Sequence, residues 1–299
     1  MPDFVLLVQG WLLAAIVAGL ALLVIARPGN PPPWRMAVGW SAGLAAGIYA
    51  GCALIGERPR WPPLEDRDRF LVILLPLALA VEFAAMLLPT RRWIAWMLRI
   101  AVATAAAPIL LYNSSYLADL SGPGSAEWNR AGTALVLGFS GVILAAIWGL
   151  LAVLQARTSD RVLAPVLVFT ALASGATVVL CGYFRGGQFA LPIAGAIAGV
   201  TLASYALPKQ PTGDPCLGVS MIGIFTVTFI GRFYGSLPTS SAIGLLFAPL
   251  LFWIAEIPAL RKLPSAARAA IGVVGVLAAL VLIVAWAQIR FNAALHARP

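Results

Sequence analysis

Ten mainly apolar stretches, separated by short polar turns, make up most of this sequence. A helix that crosses the hydrocarbon core of a bilayer needs about 20 consecutive apolar residues, and each stretch is close to that length. The pattern predicts an all-α, polytopic integral membrane bundle of about ten transmembrane helices, and it allows neighbouring helices to pair as tandem hairpins. The predicted spans are 4–26, 36–56, 70–89, 93–112, 132–154, 162–183, 189–208, 216–233, 238–258 and 269–289.

The low share of charged residues excludes a water-soluble fold. Only 10% of the 299 residues are charged and 61% are hydrophobic, whereas a soluble domain carries roughly 25% charged residues. Lipid must therefore cover most of the surface, and residues 1–299 are predicted to form a single transmembrane domain. The formal charge of +9 lies mostly in short turns, so lipid headgroups, and not nucleic acid, are the expected partners of these charges.

The distribution of Lys and Arg predicts an orientation. An even number of spans places both termini on one side of the membrane, here called side A, and the opposite side is called side B. Side B carries ten Lys and Arg residues in short basic turns and side A carries nine, while Asp3 precedes the first span and Arg27 follows it. The positive-inside rule then places side B in the cytoplasm and both termini outside it. The bias toward Ala, Arg, Gly and Pro is typical of a GC-rich bacterial genome, so a bacterial inner membrane is the expected location.

Two ionisable side chains are predicted within the hydrocarbon core, Glu82 in the third span and Arg99 in the fourth. Both are equally far from the turn that joins these spans, so at 1.5 Å per residue each lies roughly 10 Å from the side B end. An unpaired charge at that depth is costly, and an ion pair between them is therefore predicted. The pair is interpreted either as a structural contact that fixes the register of the hairpin or as a gate beside a polar cavity.

A five-residue motif occurs twice, as GYFRG at 182–186 and as GRFYG at 231–235. Each copy joins two spans on side A. Arg binds carboxylate and phosphate through paired hydrogen bonds, so the two copies predict one site for an anion or a lipid headgroup. The alternative is that the arginines reach lipid headgroups separately while the tyrosines belong to the aromatic belt. The candidate binding residues are Arg185, Arg232, Tyr183 and Tyr234.

Four glycines spaced four residues apart follow one face of the second span. Such a face lets another helix approach closely. It is interpreted either as a packing seam within the chain or as an interface with a second copy or another membrane protein. The residues of this helix-packing face are Gly39, Gly43, Gly47 and Gly51.

The turn at 57–69 contains eight charged residues whose charges cancel. It is expected to be a solvated cap of the bundle or, alternatively, a docking surface for another protein. The second polar turn, at 113–131, contains the acidic residues Asp119 and Glu127.

The sequence contains no recognisable catalytic constellation. The only His is His296 in the C-terminal tail, no Asp lies within a predicted span, and the three cysteines are far apart. These features argue against acid–base catalysis with His, paired-Asp proteolysis and a zinc site. An enzyme is not expected, and it would have to use Glu82, or Asp119 and Glu127 in the turn at 113–131. Neither a metal nor a cofactor is predicted.

Two functional hypotheses remain. The first is a transport-type protein, such as a permease, flippase or carrier, for a small anionic or lipid-like solute, and it depends on the few charged groups in an otherwise apolar bundle. The second is a non-catalytic membrane subunit or scaffold of a larger complex, and it depends on the glycine face and the short loops. A dry, fully packed Glu82–Arg99 pair would favour the second hypothesis.

Overall fold

The computed structural model describes residues 4–26, 32–88, 90–117, 129–158, 160–207 and 216–296. Within these ranges the chain is helical without strands, and ten helices are long and apolar enough to cross a membrane. The prediction of an all-α bundle of about ten spans is therefore confirmed. The α-helices are α1 (Phe4–Ala26), α2 (Pro33–Leu54), α3 (Asp66–Arg69), α4 (Leu75–Leu87), α5 (Arg92–Leu111), α6 (Arg130–Arg157), α7 (Asp160–Leu180), α8 (Phe184–Gln188), α9 (Ala190–Ser204), α10 (Cys216–Phe233), α11 (Thr239–Phe247) and α12 (Ser265–His296).

Two spans contain irregular helix next to a proline. In the third span a π-helical segment, Phe70–Leu74, joins α3 to α4, and the Leu75 N–H bonds the Phe70 carbonyl. The next donor in that register would be Pro76, which has no N–H. The Leu71 carbonyl accepts a hydrogen bond from the Tyr49 hydroxyl instead, at 2.6 Å. In the ninth span, α11 continues as a 3₁₀ helix over Ala248–Glu256, and a second 3₁₀ helix covers Pro258–Lys262.

The glycine face of α2 packs within the chain, against α1 and α9. A Cβ at Gly47 would lie 2.6 Å from the Ala14 carbonyl oxygen and 3.0 Å from the Ala196 Cβ, which leaves no room for a side chain. Gly51 is equally close to α1 and α9, and Gly39 and Gly43 face α1. An interface with a second copy or a partner would need this face to be free, but α1 and α9 cover it.

The centre of the bundle is α10, in which 16 of 18 residues are buried. It packs against α4, α5, α6, α7 and α9. Helices that are neighbours in the chain do pair, as α1 with α2 and α5 with α6, but α9 packs on both α1 and α2. The bundle is therefore not a row of independent hairpins, because helices distant in sequence share the same core.

Candidate functional site

Four consecutive charged residues are buried at the side A end of the third span. Asp66, Arg67, Asp68 and Arg69 are each between 4% and 7% exposed, whereas Arg58 and Arg60 in the preceding turn are exposed. The expectation of a solvated cap is therefore wrong for this half of the turn. The apolar residues that follow Arg69 continue the span into the bundle. Hydrogen-bond and ion-pair partners stabilise the four charged residues at that position.

Arg67 is neutralised by two carboxylates. Its guanidinium donates through Nη1 to Glu57 and through Nη2 to Glu65. The Gln188 amide of α8 also donates to Glu57, at 3.1 Å. Glu57 reaches this position because Gly56, with a φ of +86°, ends α2 in a left-handed turn, in which the Glu57 N–H bonds the Cys52 carbonyl.

Asp66 is hydrogen-bonded by a hydroxyl and forms no ion pair among the described residues. The Tyr183 hydroxyl donates to both carboxylate oxygens, at 3.0 and 3.2 Å. Burial raises the pKa of the Tyr183 hydroxyl, and the adjacent Asp66 raises this pKa further, so the hydroxyl stays protonated and remains a donor. Gly182, with a φ of +87°, turns the chain at the end of α7 and directs Tyr183 toward Asp66.

Arg69 is held by neutral acceptors. Its guanidinium donates to the Leu110 carbonyl at 3.0 Å and to the Leu64 carbonyl, while its Nε is buried without a partner. Asp68, its neighbour, accepts a hydrogen bond from the Arg60 N–H at 3.2 Å. Within the described part of the chain, neither Asp66 nor Arg69 forms an ion pair.

These groups surround an open cavity of about 360 Å³ at the side A end of the bundle. The turns after α2, α5, α7 and α10 all contribute to it, which is why residues from four distant parts of the sequence meet here. Its polar and charged lining includes Asp66, Arg67, Arg69, Tyr183, Arg185 and Tyr234.

The two copies of the repeated motif meet at this cavity. The Tyr183 and Tyr234 ring centroids are 6.3 Å apart, and the Ser236 hydroxyl and N–H both donate to the Cys181 carbonyl. The Tyr234 hydroxyl donates to the Leu110 carbonyl at 3.2 Å. The tips of the two hairpins are thus bound to each other.

Only one arginine of the repeated motif lies at the cavity. Arg185 is exposed at its rim, while Arg232 lies outside the lining and donates through Nε to the Thr239 hydroxyl at 2.8 Å. Of the four candidate residues, the structure brings Tyr183, Arg185 and Tyr234 to the cavity and places Arg232 outside it, while anion binding stays a prediction. Sequence reasoning missed Arg67 and Arg69, because equal numbers of acidic neighbours made their turn look like solvated surface. The abrupt change from this charged run to an apolar one at Phe70 was the available indication.

Glu82 and Arg99 form a bidentate ion pair between α4 and α5. Arg99 Nε lies 2.9 Å from Glu82 Oε1, and Arg99 Nη2 lies 2.6 Å from Glu82 Oε2. Glu82 is 2% exposed, and the guanidinium lies between the Trp96 and Trp148 rings, at 5.1 and 5.8 Å from their centroids. The predicted contact is thus present in the structure, and its role as a gate stays a prediction.

The surroundings of this pair are closely packed. Gly218 of α10 lies against the carboxylate, and a Cβ there would collide with Glu82 Oε1 and the Trp148 ring. The glycine is required because α10 approaches α4 at the point where the carboxylate lies. Close packing on this side favours a fixed structural contact.

The described residues contain no group of three or more His, Cys, Asp or Glu side chains that could hold a metal ion. Comparison of the chain with protein-family models, curated proteins and solved structures gives no match. The functional proposal therefore rests on the geometry of the side A cavity and of the Glu82–Arg99 pair.

Proposed function

We propose that this protein is a transport-type membrane protein for a small anionic or lipid-like solute, and that the side A cavity is the place where the solute binds. The observation that carries the proposal is that Arg69 and Arg185 line an open cavity without a carboxylate partner among the described residues. Guanidinium groups bind carboxylate and phosphate through paired, charge-assisted hydrogen bonds.

The three arginines at the cavity are not equivalent. Glu57 and Glu65 neutralise Arg67, so Arg67 supports the wall of the cavity and attracts an anion only weakly. Arg69 has no acidic partner among the described residues, and its buried Nε has no hydrogen-bond partner. Arg185, at the rim, is exposed and can contact a solute as it enters. Anion recognition is therefore assigned to Arg69 and Arg185.

The third span connects the cavity to the ion pair inside the bundle. Asp66 and Glu82 are 16 positions apart on it, which corresponds to roughly 24 Å along a helix. The π-helical segment Phe70–Leu74 lies between them, and such segments occur frequently at functional sites. A movement of the third span on solute binding would also displace Glu82 relative to Arg99. In the transport hypothesis, this ion pair is the gate.

The repeated motif supplies a matched pair of variants for testing anion binding. Arg185→Gln is expected to weaken binding of ethyl phosphate by about 10- to 100-fold, because it removes one charge-assisted interaction. Arg232→Gln removes the same charge from the other copy of the motif, outside the cavity, and it should leave the affinity unchanged. Isothermal titration of each protein in lipid nanodiscs gives the affinities, and uptake into proteoliposomes tests transport.

Equal losses in the two variants would show that anion attraction is not local to the cavity. Failure of the wild-type protein to bind any phosphate-bearing probe would refute the proposal altogether.

The proposed orientation places the cavity on the extracytoplasmic side of a bacterial inner membrane, with both termini on that side. Asp3 and Arg27, which contributed to this prediction, lie outside the described residues. A cysteine introduced as Arg58→Cys, in the exposed turn beside the cavity, should react with a membrane-impermeant maleimide in intact cells. Labelling only after the cells are opened would place side A in the cytoplasm.

A second candidate function is a non-catalytic subunit or scaffold of a larger complex. The observation that favours it is the close packing of Glu82 by Gly218 and Trp148, because a gate needs space and water on at least one side. In that case native mass spectrometry of the gently extracted protein should show a stoichiometric partner. A bare chain that retains a small anion or an anionic lipid would instead favour transport.

A further inference from the structure

Two opposite charges that line the cavity are buried without an ion-pair partner in the described part of the chain. Asp66 is 7% exposed and Arg69 is 4% exposed, and neither has an ion-pair partner in the described ranges. Asp66 has only the Tyr183 hydroxyl as a side-chain donor, and Arg69 has two backbone carbonyls. Neutral partners replace only part of the hydration that a buried charge loses.

The two side chains share one face of the chain. They are three positions apart on the single helical turn α3, a spacing that places Cβ atoms about 5–6 Å apart. Both side chains line the same cavity, yet no guanidinium nitrogen of Arg69 lies within ion-pair distance of Asp66. The cavity therefore presents a separated negative and positive charge to whatever enters it.

We infer that the solute is a small zwitterion, with its phosphate or carboxylate group on Arg69 and Arg185 and its ammonium group on Asp66. This inference rests on the proposed function and names the chemistry of its solute. A simple anion would satisfy Arg69 but would be repelled by Asp66, whereas a zwitterion supplies a partner to each buried charge at once. A cavity of about 360 Å³ has room for a molecule of the size of phosphoethanolamine.

Arg67 does not change this assignment. Arg67 is close enough to Asp66 to interact with its charge, but its two carboxylate partners, Glu57 and Glu65, occupy its outer nitrogens.

Three probes separate the contributions of the two charges. Phosphoethanolamine carries both groups, ethyl phosphate lacks the ammonium group, and ethanolamine lacks the phosphate. We expect phosphoethanolamine to bind about tenfold or more tightly than either of the others, because an added charge-assisted contact has an effect of that size. The measurement is isothermal titration of the full chain in nanodiscs of phosphatidylglycerol, whose headgroup contains no ammonium.

The variant Asp66→Asn tests the position of the ammonium group. It keeps an acceptor for the Tyr183 hydroxyl but removes the charge, so phosphoethanolamine should bind no better than ethyl phosphate. Arg232→Gln, outside the cavity, should retain the full preference. Thermal unfolding of each variant shows whether it is folded, and the comparison of probes on the wild-type protein decides the question even if Asp66→Asn does not fold.

These measurements distinguish failure of the zwitterion inference from failure of the proposed anion-binding function. Equal affinities of the wild-type protein for phosphoethanolamine and ethyl phosphate would overturn the zwitterion and leave anion binding in place. Absence of binding for every phosphate-bearing probe would overturn both. Phosphoethanolamine binding that disappears when phosphatidylethanolamine is added to the nanodiscs supports a lipid headgroup as the solute, and binding that persists supports a free solute of the same chemistry.

Discussion

Replacing Arg99 with glutamine is expected to destabilise the folded bundle by about 3–5 kcal/mol, the usual effect of removing one partner of a buried ion pair. The substitution leaves Glu82, which is 2% exposed, without the two hydrogen bonds that Arg99 donates. Thermal unfolding in a mild detergent, followed by tryptophan fluorescence or size-exclusion chromatography, measures the change.

The double variant Glu82→Gln with Arg99→Gln provides the control for this experiment. Two glutamines can hydrogen-bond each other and leave no buried charge, so a large part of the lost stability should return. Arg232→Gln, which removes an exposed arginine, should have little effect. If Arg99→Gln is as stable as the wild-type protein but transports no solute, the pair is a gate and not a structural contact.

Leucine at Gly47 is expected to prevent folding or to cost about 3 kcal/mol or more, at the upper end of the range for overpacked cores. The Cβ alone would lie 2.6 Å from a backbone oxygen of α1, and backbone cannot move aside as a flexible side chain can. The yield of monodisperse protein on size-exclusion chromatography reports the effect.

Gly138→Leu is the matched control, because Gly138 is also a glycine within a span but has no atom within 4 Å of its Cβ position. It should fold normally, with its new side chain in lipid. The Gly47→Leu protein could instead fold fully and lose a bound partner or a second copy. That result would contradict packing within the chain and would support an interface on this face.

The main features of the fold could be predicted from local patterns in the sequence. Apolar stretches of sufficient length predict spans wherever they occur, because lipid leaves the backbone no alternative to helix. The contact of Glu82 with Arg99 also follows from sequence, since a short turn between two straight helices sets equal depths on both sides. The glycine spacing of the second span indicated close helix packing, though not which helix would cover it.

The candidate site depended on the arrangement of helices that are distant in sequence. The two copies of the motif have the same composition, yet Arg185 lies at the cavity and Arg232 bonds Thr239 outside it. Arg185 lies within α8, after the turn that ends α7, whereas Arg232 lies in the last turn of α10, before the chain turns.

By itself, the sequence determined that this chain is a helical membrane bundle, how many spans it has, and which two charges pair inside it. Each of these follows from hydrophobicity and helix geometry over short distances along the chain. Only the tertiary structure decided that Asp66–Arg69 are buried and that Asp66 faces Tyr183. Burial of a polar run depends on its hydrogen-bond partners, and some of these come from distant turns: Tyr183 is 117 positions from Asp66, and Leu110 is 41 positions from Arg69.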